Sequence, residues 1–413
     1  TPESRGRGLD ANGAGTSPGL WLAMAVVVLP QTVLAAVQHS ISALGPELTR
    51  AAGLPPEGIG LIGGLVHLGA VWFFAASASV IGPLGPVRAL GAACLLSATA
   101  AGTMLLGSAA AILLAAPLVG FAYAATAPAG SAILASSTPR RLWGTLFSVR
   151  MAGVPAGGAI AGIVAVGLAA AHSWQAGLAA MALLPLACAA FLLIAGGPFK
   201  GAPEGQLRLG AILALGNLRR PFATLARLPA LRRLTVASLG FAAAQGAAFT
   251  FLTTYLVDGV GLSLPVAGAL FATLQIASVV GRIGVGMLAD LLGDMLGGRL
   301  RVLVILAGAS ALGTLLTMTA GFGLPLPALF VGAALIGAVV ATWNGLFLAE
   351  IAAVAPEAEV SEATSAATFF TFIAYMATPP IFALLAVLFG YEAAYVAAAI
   401  AVAAAGLHLA RSS

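Results

Sequence analysis

Residues 261–293 read GLSLPVAGALFATLQIASVVGRIGVGMLADLLG, a run of 33 residues in which Arg282 and Asp290 are the only charges. A helix that crosses a bilayer needs about 20 apolar residues. The stretch 264–289 therefore reads as a membrane span that ends in a Gly-bearing turn. A segment of the same length, GLPPEGIGLIGGLVHLGAVWFFAASASVIGPLG over 53–85, aligns with it without a gap. A second gap-free pairing sets Leu118–Pro139 against Leu335–Pro356. Two similar blocks in one chain predict an internal repeat, with His67 of the first block opposite Gln275 of the second.

The rest of the chain has the same character. Its 413 residues are 61% hydrophobic and 8% charged, against ~25% charged in an ordinary soluble domain. So few charges cannot coat a water-soluble body, which excludes a soluble enzyme. The net charge of +5 comes from 18 basic residues that are not gathered on one domain, so nucleic-acid binding is not expected. Cys94 and Cys188 lie in apolar runs without metal-site spacing and read as buried fillers. Breaks at Pro, Gly and charge divide the chain into twelve spans, near 19–42, 57–80, 88–107, 110–135, 143–171, 174–196, 234–257, 264–289, 302–320, 327–352, 363–388 and 392–410. The expected organisation is a disordered polar tail (1–18), a six-helix bundle (19–196), a polar linker (197–233) and a second six-helix bundle (234–413). Basic residues set orientation in a membrane. With the N-terminus inside, 15 Lys and Arg side chains fall on the cytoplasmic side and only Arg50 outside, while Arg150 and Arg282 lie within spans. This predicts a multi-pass protein of a bacterial inner (plasma) membrane with both termini cytoplasmic.

The end of the opening run, Gly281-Arg282-Ile-Gly-Val-Gly286-Met-Leu-Ala-Asp290-Leu-Leu-Gly293 followed by Arg299 and Arg301, resembles the loop signature of the major facilitator superfamily. The first-half copy, Gly82-Pro-Leu-Gly85-Pro-Val-Arg88, keeps a Gly and a basic residue but has Gly82 in place of the acid. Span five carries Gly153-Val-Pro155-Ala-Gly157-Gly158, similar to the antiporter motif of that superfamily with Val154 replacing a Gly. Together with Leu252-Thr-Thr-Tyr255 and Trp343-Asn344-Gly-Leu-Phe-Leu-Ala-Glu350, it is similar to bacterial cyanate-, nitrate- and organic-anion-type porters. The resemblance implies an all-α membrane fold of twelve transmembrane helices in two pseudo-symmetric bundles. It also implies a gating role for Gly286, Asp290 and Gly293, to which Arg282 belongs by position.

Ionisable groups inside a bilayer are costly and read as functional by default. Arg150 lies nine residues beyond Arg141, about 14 Å along a helix, near mid-depth. A guanidinium there offers a planar fork to a carboxylate; the competing reading is a structural contact with a neighbouring helix. His67, mid-span in helix two, can bind substrate or relay a proton, or simply bond to a backbone carbonyl. Glu350, six residues before Pro356, is a second candidate for proton coupling, with a structural ion pair as its rival. Arg282 reads more readily as structural. Gln31 and Gln38 are seven apart and share a face of helix one. With Tyr123, Gln245, Gln275, Trp343, Asn344, Phe372 and Tyr375 they supply a neutral polar set on the helices that, by resemblance, line a central cavity. His39 and His172 sit near the outer surface and receive no role.

The reading is a secondary transporter that moves a small organic anion, a carboxylate, by alternating access in a proton-coupled symport, working as a monomer in the lipid bilayer with neither cofactor nor catalysis. The alternatives are a proton-driven exporter of drugs or metabolites, and a non-transporting receptor or assembly factor on the same fold. The arginine opposes a cationic-drug exporter, which would need a buried acid.

Overall fold

The computed structural model describes residues 18–137, 143–201, 205–296, 298–356 and 360–411. Among them, twelve helices are long and apolar enough to cross a membrane, as expected for a multi-pass membrane protein. The first half comprises α1 (Pro18–Ala43), α2 (Ile59–Leu84), α3 (Pro86–Met104), α4 (Ala109–Ala124 continuing as Thr126–Ser137), α5 (Trp143–Ile160, then a π turn Ala161–Ala165 and Val166–Ala171) and α6 (Trp174–Ala195). The second comprises α7 (Pro229–Thr254), α8 (Leu264–Leu296), α9 (Arg299–Leu316), α10 (Leu326–Val340 and Trp343–Val354), α11 (Val360–Phe389) and α12 (Tyr391–Ala410). Helix α7 begins at Pro229, so the end of the expected linker is already helical.

An even number of crossings puts both termini and the linker on one face, here called the terminal face. The loops after α1, α3, α5, α7, α9 and α11 make the distal face. The linker touches both halves. Trp72 Nε1 of α2 donates to the Ile212 carbonyl at 3.1 Å. On the other side a short helix, Arg219–Arg227, sets Phe222 against Phe370 of α11, and Arg227 pairs with Glu362 at 3.0 Å.

Between helices in lipid there is little hydrophobic drive, so small residues that admit close backbone approach decide the packing. Gly120 of α4 meets the Val66 carbonyl of α2 so closely that a Cβ would collide with it, and Gly337 of α10 stands in the same relation to the Leu274 carbonyl of α8. Val66 pairs with Leu274 in one sequence alignment and Gly120 with Gly337 in the other. The two halves thus repeat the same crossing. They also repeat a break. Helix α4 is interrupted at Ala125 and α10 at Ala341–Thr342, and Ala125 aligns with Thr342. The sequence reads as one span at each place. Pro128, which cannot donate to the Ala124 carbonyl, accounts for the first break, while the second has no Pro within it.

The halves meet chiefly toward the distal face. There Gly60 and Gly64 of α2 fit against the Pro379 and Met376 carbonyls of α11, and Gly162 of α5 against the Gly268 carbonyl of α8. Pro380 cannot donate to the Met376 carbonyl, and Gly64 supplies a neighbour thin enough to approach it. At the distal surface Arg50 reaches Glu47 at 2.7 Å and Asp258 of the other half at 3.7 Å. These half-exposed pairs contribute little; the glycine seams bring the halves into contact there. Cys94 and Cys188 are buried and unbridged.

Gly120→Val should destabilise the protein by about 1–3 kcal/mol or more, the cost of overpacking. Gly91→Val, where a Cβ meets nothing within 4 Å, should leave thermal unfolding in detergent within a degree or two of wild type, or about 0.5 kcal/mol. Equal melting of the two variants would refute the crossing as a packing constraint.

Candidate functional site

Three helices of the first half converge on Arg150. Its side chain is 4% exposed. Nε donates to Gln31 Oε1 of α1 at 3.3 Å, and Nη1 to Ser131 Oγ of α4 at 2.9 Å. Glycines make the room. A Cβ on Gly130 would press on Arg150 Nε at 3.3 Å, and one on Gly153 would meet Gln31 Cγ at 3.3 Å. Ser131 was missed in the sequence because a hydroxyl in a small-residue span reads as helix packing; its 19-residue offset from Arg150 carries no periodic signal.

The second half gathers its polar groups on Gln245 of α7. Its Oε1 accepts from Tyr375 OH of α11 at 2.8 Å, from Trp343 Nε1 at 2.9 Å and from Asn344 Nδ2 at 3.3 Å. An indole N–H only donates, so it fixes which way the amide points. The Gln245 amide nitrogen makes no hydrogen bond with a described residue and is left as a donor. Trp343 is fully buried and stacks on Phe241 at 5.1 Å. The break in α10 starts a new helical segment at Trp343, and so aims Trp343 and Asn344 at Gln245.

Two contacts join the clusters. His67 of α2 stacks on Tyr375 of α11 with centroids 5.5 Å apart and an interplanar angle of 25°, and lies 6.3 Å from Phe372. Arg282 of α8 donates from Nε to the Ala341 carbonyl at 3.1 Å and from Nη1 to the Met151 carbonyl at 3.0 Å. Ala341 is freed to accept by the α10 break, while Met151 belongs to the other half and adjoins Arg150. Tyr123 of α4 is within electrostatic reach of both guanidiniums. Arg282, expected to belong to the gating motif, therefore stands at the site itself. The backbone of Gly286, Asp290 and Gly293 continues α8 as a helix; the surroundings of these three residues lie outside what the structure describes.

Not every expected residue joins. Gln275 is fully buried at the seam between α8 and α5, pressed against Gly158, with neither amide atom bonded to a described residue. It does not form a cavity wall opposite His67. Gln38 sits two turns distal to Gln31, with a buried and unpartnered Oε1. Glu350 is six residues past Asn344, about 9 Å along the helix, half-buried and without a bonded partner among the described residues. His39 lies four residues from the distal end of α1, 7% exposed, with its ring against Phe249 and Phe271 of the other half. A small, mostly apolar recess lined by Leu252, Leu270, Leu316 and Ile336 lies apart from these polar groups, within the second half.

The arrangement brings a buried arginine, a set of neutral donors and an imidazole together at the contact of the two halves.

Known proteins fit this picture. The family model described as Major Facilitator Superfamily matches residues 20–296. No curated protein matches the chain. Among solved structures, a bacterial homolog to the human lysosomal transporter Spinster, inward-facing and occupied, aligns at TM-score 0.74 with 14% identity over 96% of this chain and 97% of that one. The peptide transporter POT in complex with sulfate aligns at 0.72 with 15% identity over 94% of each chain. The nucleoside transporter NupG aligns at 0.74 with 14% identity over 94% of this chain and 99% of that one.

Gln245→Leu strips three donors of a shared acceptor. The expected cost is roughly 1–3 kcal/mol for each buried donor left unsatisfied, read as a lower melting temperature. Asn344→Ala, which removes only the longest of the three bonds, should cost less. If Gln245→Leu melts with wild type, Gln245 is not the hub of this cluster.

Proposed function

Because the chain belongs to the Major Facilitator Superfamily, we propose that it is a secondary active transporter that carries a small organic anion, a carboxylate, by alternating access about this site. The observation that carries this reading is Arg150: a permanently charged guanidinium, 4% exposed, held at mid-depth by a neutral amide and a neutral hydroxyl. Gln31 and Ser131 orient the group without a charge of their own. A planar guanidinium fork is suited to a carboxylate or similar oxyanion. Tyr123, the second N–H of Asn344 and the free amide of Gln245 would hydrogen-bond the bound anion, and Trp343, Phe372 and the His67–Tyr375 stack would shape its apolar wall. Gln38 and Gln275 would enter only as the distal seam opens.

Protons are the proposed coupling ion, and the transport a symport. His67 is the titratable side chain inside the cluster, and Glu350 lies on the way to the terminal face. The distribution of Lys and Arg supports cytoplasmic termini in a bacterial inner membrane. One chain supplies both halves of the site, which supports a monomer as the working unit.

The test is uptake of labelled small carboxylates into proteoliposomes under an imposed pH gradient. Arg150→Gln should lower uptake at least tenfold, consistent with about 1.5–3 kcal/mol for hydrogen bonds to a charged group. His67→Gln should retain substrate exchange but lose accumulation driven by the pH gradient. Unchanged uptake in Arg150→Gln, for the anion that wild type carries, would remove the anion anchor.

A further inference from the structure

His39 is the one titratable side chain near the site that transport as proposed leaves unused. It lies four residues from the distal end of α1, in the seam between the halves. Its ring meets Phe249 of α7 edge-on at 5.7 Å and Phe271 of α8 at 6.2 Å. Both phenyl rings belong to the opposite half. His39 Nδ1 is 2.8 Å from the Ala35 carbonyl. A carbonyl only accepts, so Nδ1 carries the hydrogen, and Nε2 of the neutral ring keeps its lone pair. No described residue donates to that nitrogen. His67 is built the same way, with Nδ1 at 2.8 Å from the Gly63 carbonyl.

The charged and titratable groups within electrostatic reach of His39 are His67 from α2 and Arg282 from α8. Both are basic, and α7 presents Phe249. An imidazolium shut into this seam would lose its water to two phenyl rings and face like charge. Nothing on the facing elements would compensate it. Opening the distal gate must draw Phe249 and Phe271 away from His39, because they move with the other half. Water then reaches the Nε2 lone pair.

We propose that His39 is a second proton-binding site, filled from the distal side only while the distal gate is open and empty whenever it is shut. The inference rests on the reading of the chain as a transporter whose halves rock. In the step, a hydronium ion on the distal side gives its proton to Nε2 of His39 and departs as water, and the proton must leave Nε2 before the phenyl rings close. His67 is a second imidazole, with the same free lone pair and a place in the central cluster. A proton released from His39 thus has an acceptor on the way to the terminal face. Proton binding and distal opening favour each other by linkage.

Spin labels at Leu106→Cys and Leu324→Cys test this. The two positions are exposed, at 76% and 40%, on distal loops of opposite halves, and the native cysteines are buried. Pulsed distance measurements on the full chain in lipid nanodiscs, from about pH 8 to about pH 5.5, cover the range in which histidine titrates. In the wild-type background the distal-open fraction should rise with acid, its ratio to the closed form changing by up to about tenfold per pH unit. His39→Gln and the ring-preserving His39→Phe should both show two conformations whose ratio no longer follows pH. Two conformations that ignore pH in the wild-type background, or a pH response that survives in both variants, would overturn the His39 site and leave the transporter reading intact. A single conformation at every pH and with every carboxylate tried would overturn both.

Discussion

Hydrocarbon gives helices no solvent-driven reason to associate, so what they can pack against is set by how closely their backbones approach. That constraint acts here at Gly120 over the Val66 carbonyl and at Gly337 over the Leu274 carbonyl. Each crossing clamps the second helix of its half to the fourth. His67 follows Val66 directly and Gln275 follows Leu274. The polar residue of each half is therefore delivered next to a fixed contact, and its position cannot drift without breaking the crossing. The same logic holds between the halves, where Gly60, Gly64 and Gly162 bring α2 against α11 and α5 against α8. These distal seams bring backbone to backbone at the glycines, with Phe249 and Phe271 of the second half packed beside them against His39.

The break in α10 links fold to site. An unbroken helix would satisfy the Ala341 carbonyl internally and leave Arg282 to find another acceptor. The interruption releases that carbonyl to Arg282 Nε at 3.1 Å, and restarts the helix at Trp343, whose indole finds Gln245 at 2.9 Å. One local irregularity thus positions a guanidinium and two neutral donors. Irregular backbone at membrane depth is tolerated where it is buried in protein or lines a cavity, and the break satisfies that condition through these two bonds. Its counterpart at Ala125 precedes Ser131 by six residues, on the segment of α4 that carries the hydroxyl to Arg150.

Spans and repeat were legible because hydropathy acts over about 20 residues at a time, and a local error cannot move a span by much. Both gap-free alignments anticipated features that only coordinates display, the paired crossings and the paired breaks. The α4 break has a cause in the sequence, since Pro128 cannot donate to the Ala124 carbonyl. The α10 break at Ala341–Thr342 has no such Pro, and its released Ala341 carbonyl goes to a tertiary partner, Arg282. The site divided along the same line. Arg150, Gln31, His67, Gln245, Trp343, Asn344 and Tyr375 could be picked out because a polar group in an apolar span is rare. Which of them meet depends on helix rotation. Gln275 shows the limit: its depth matched His67, but its helix turns it into the α5 seam against Gly158. His39 shows the same limit: its depth near the distal end of α1 was legible, but not that Phe249 and Phe271 of the other half pack over it.

The two clusters are unequal in a way that bears on movement. The Gln245 cluster is satisfied within its own half: its donors come from α10 and α11 and its acceptor from α7. Rocking the halves leaves those bonds in place. The cross-half contacts are of another kind. Arg282 holds the Met151 carbonyl, and His67 stacks on Tyr375. A carbonyl carries only partial charge, so a guanidinium exchanges it readily for an anionic oxygen, which makes the stronger hydrogen bond. An anion entering beside Arg150 would compete for Arg282 with the carbonyl of the next residue, Met151. Ligand binding would then weaken the polar tie between the halves at the depth where the ligand sits, while the Ala341 bond keeps Arg282 aimed at the site. Under the proposed function, substrate occupancy and relative movement of the halves would be coupled through a single side chain with two acceptors, one fixed to its own half and one not.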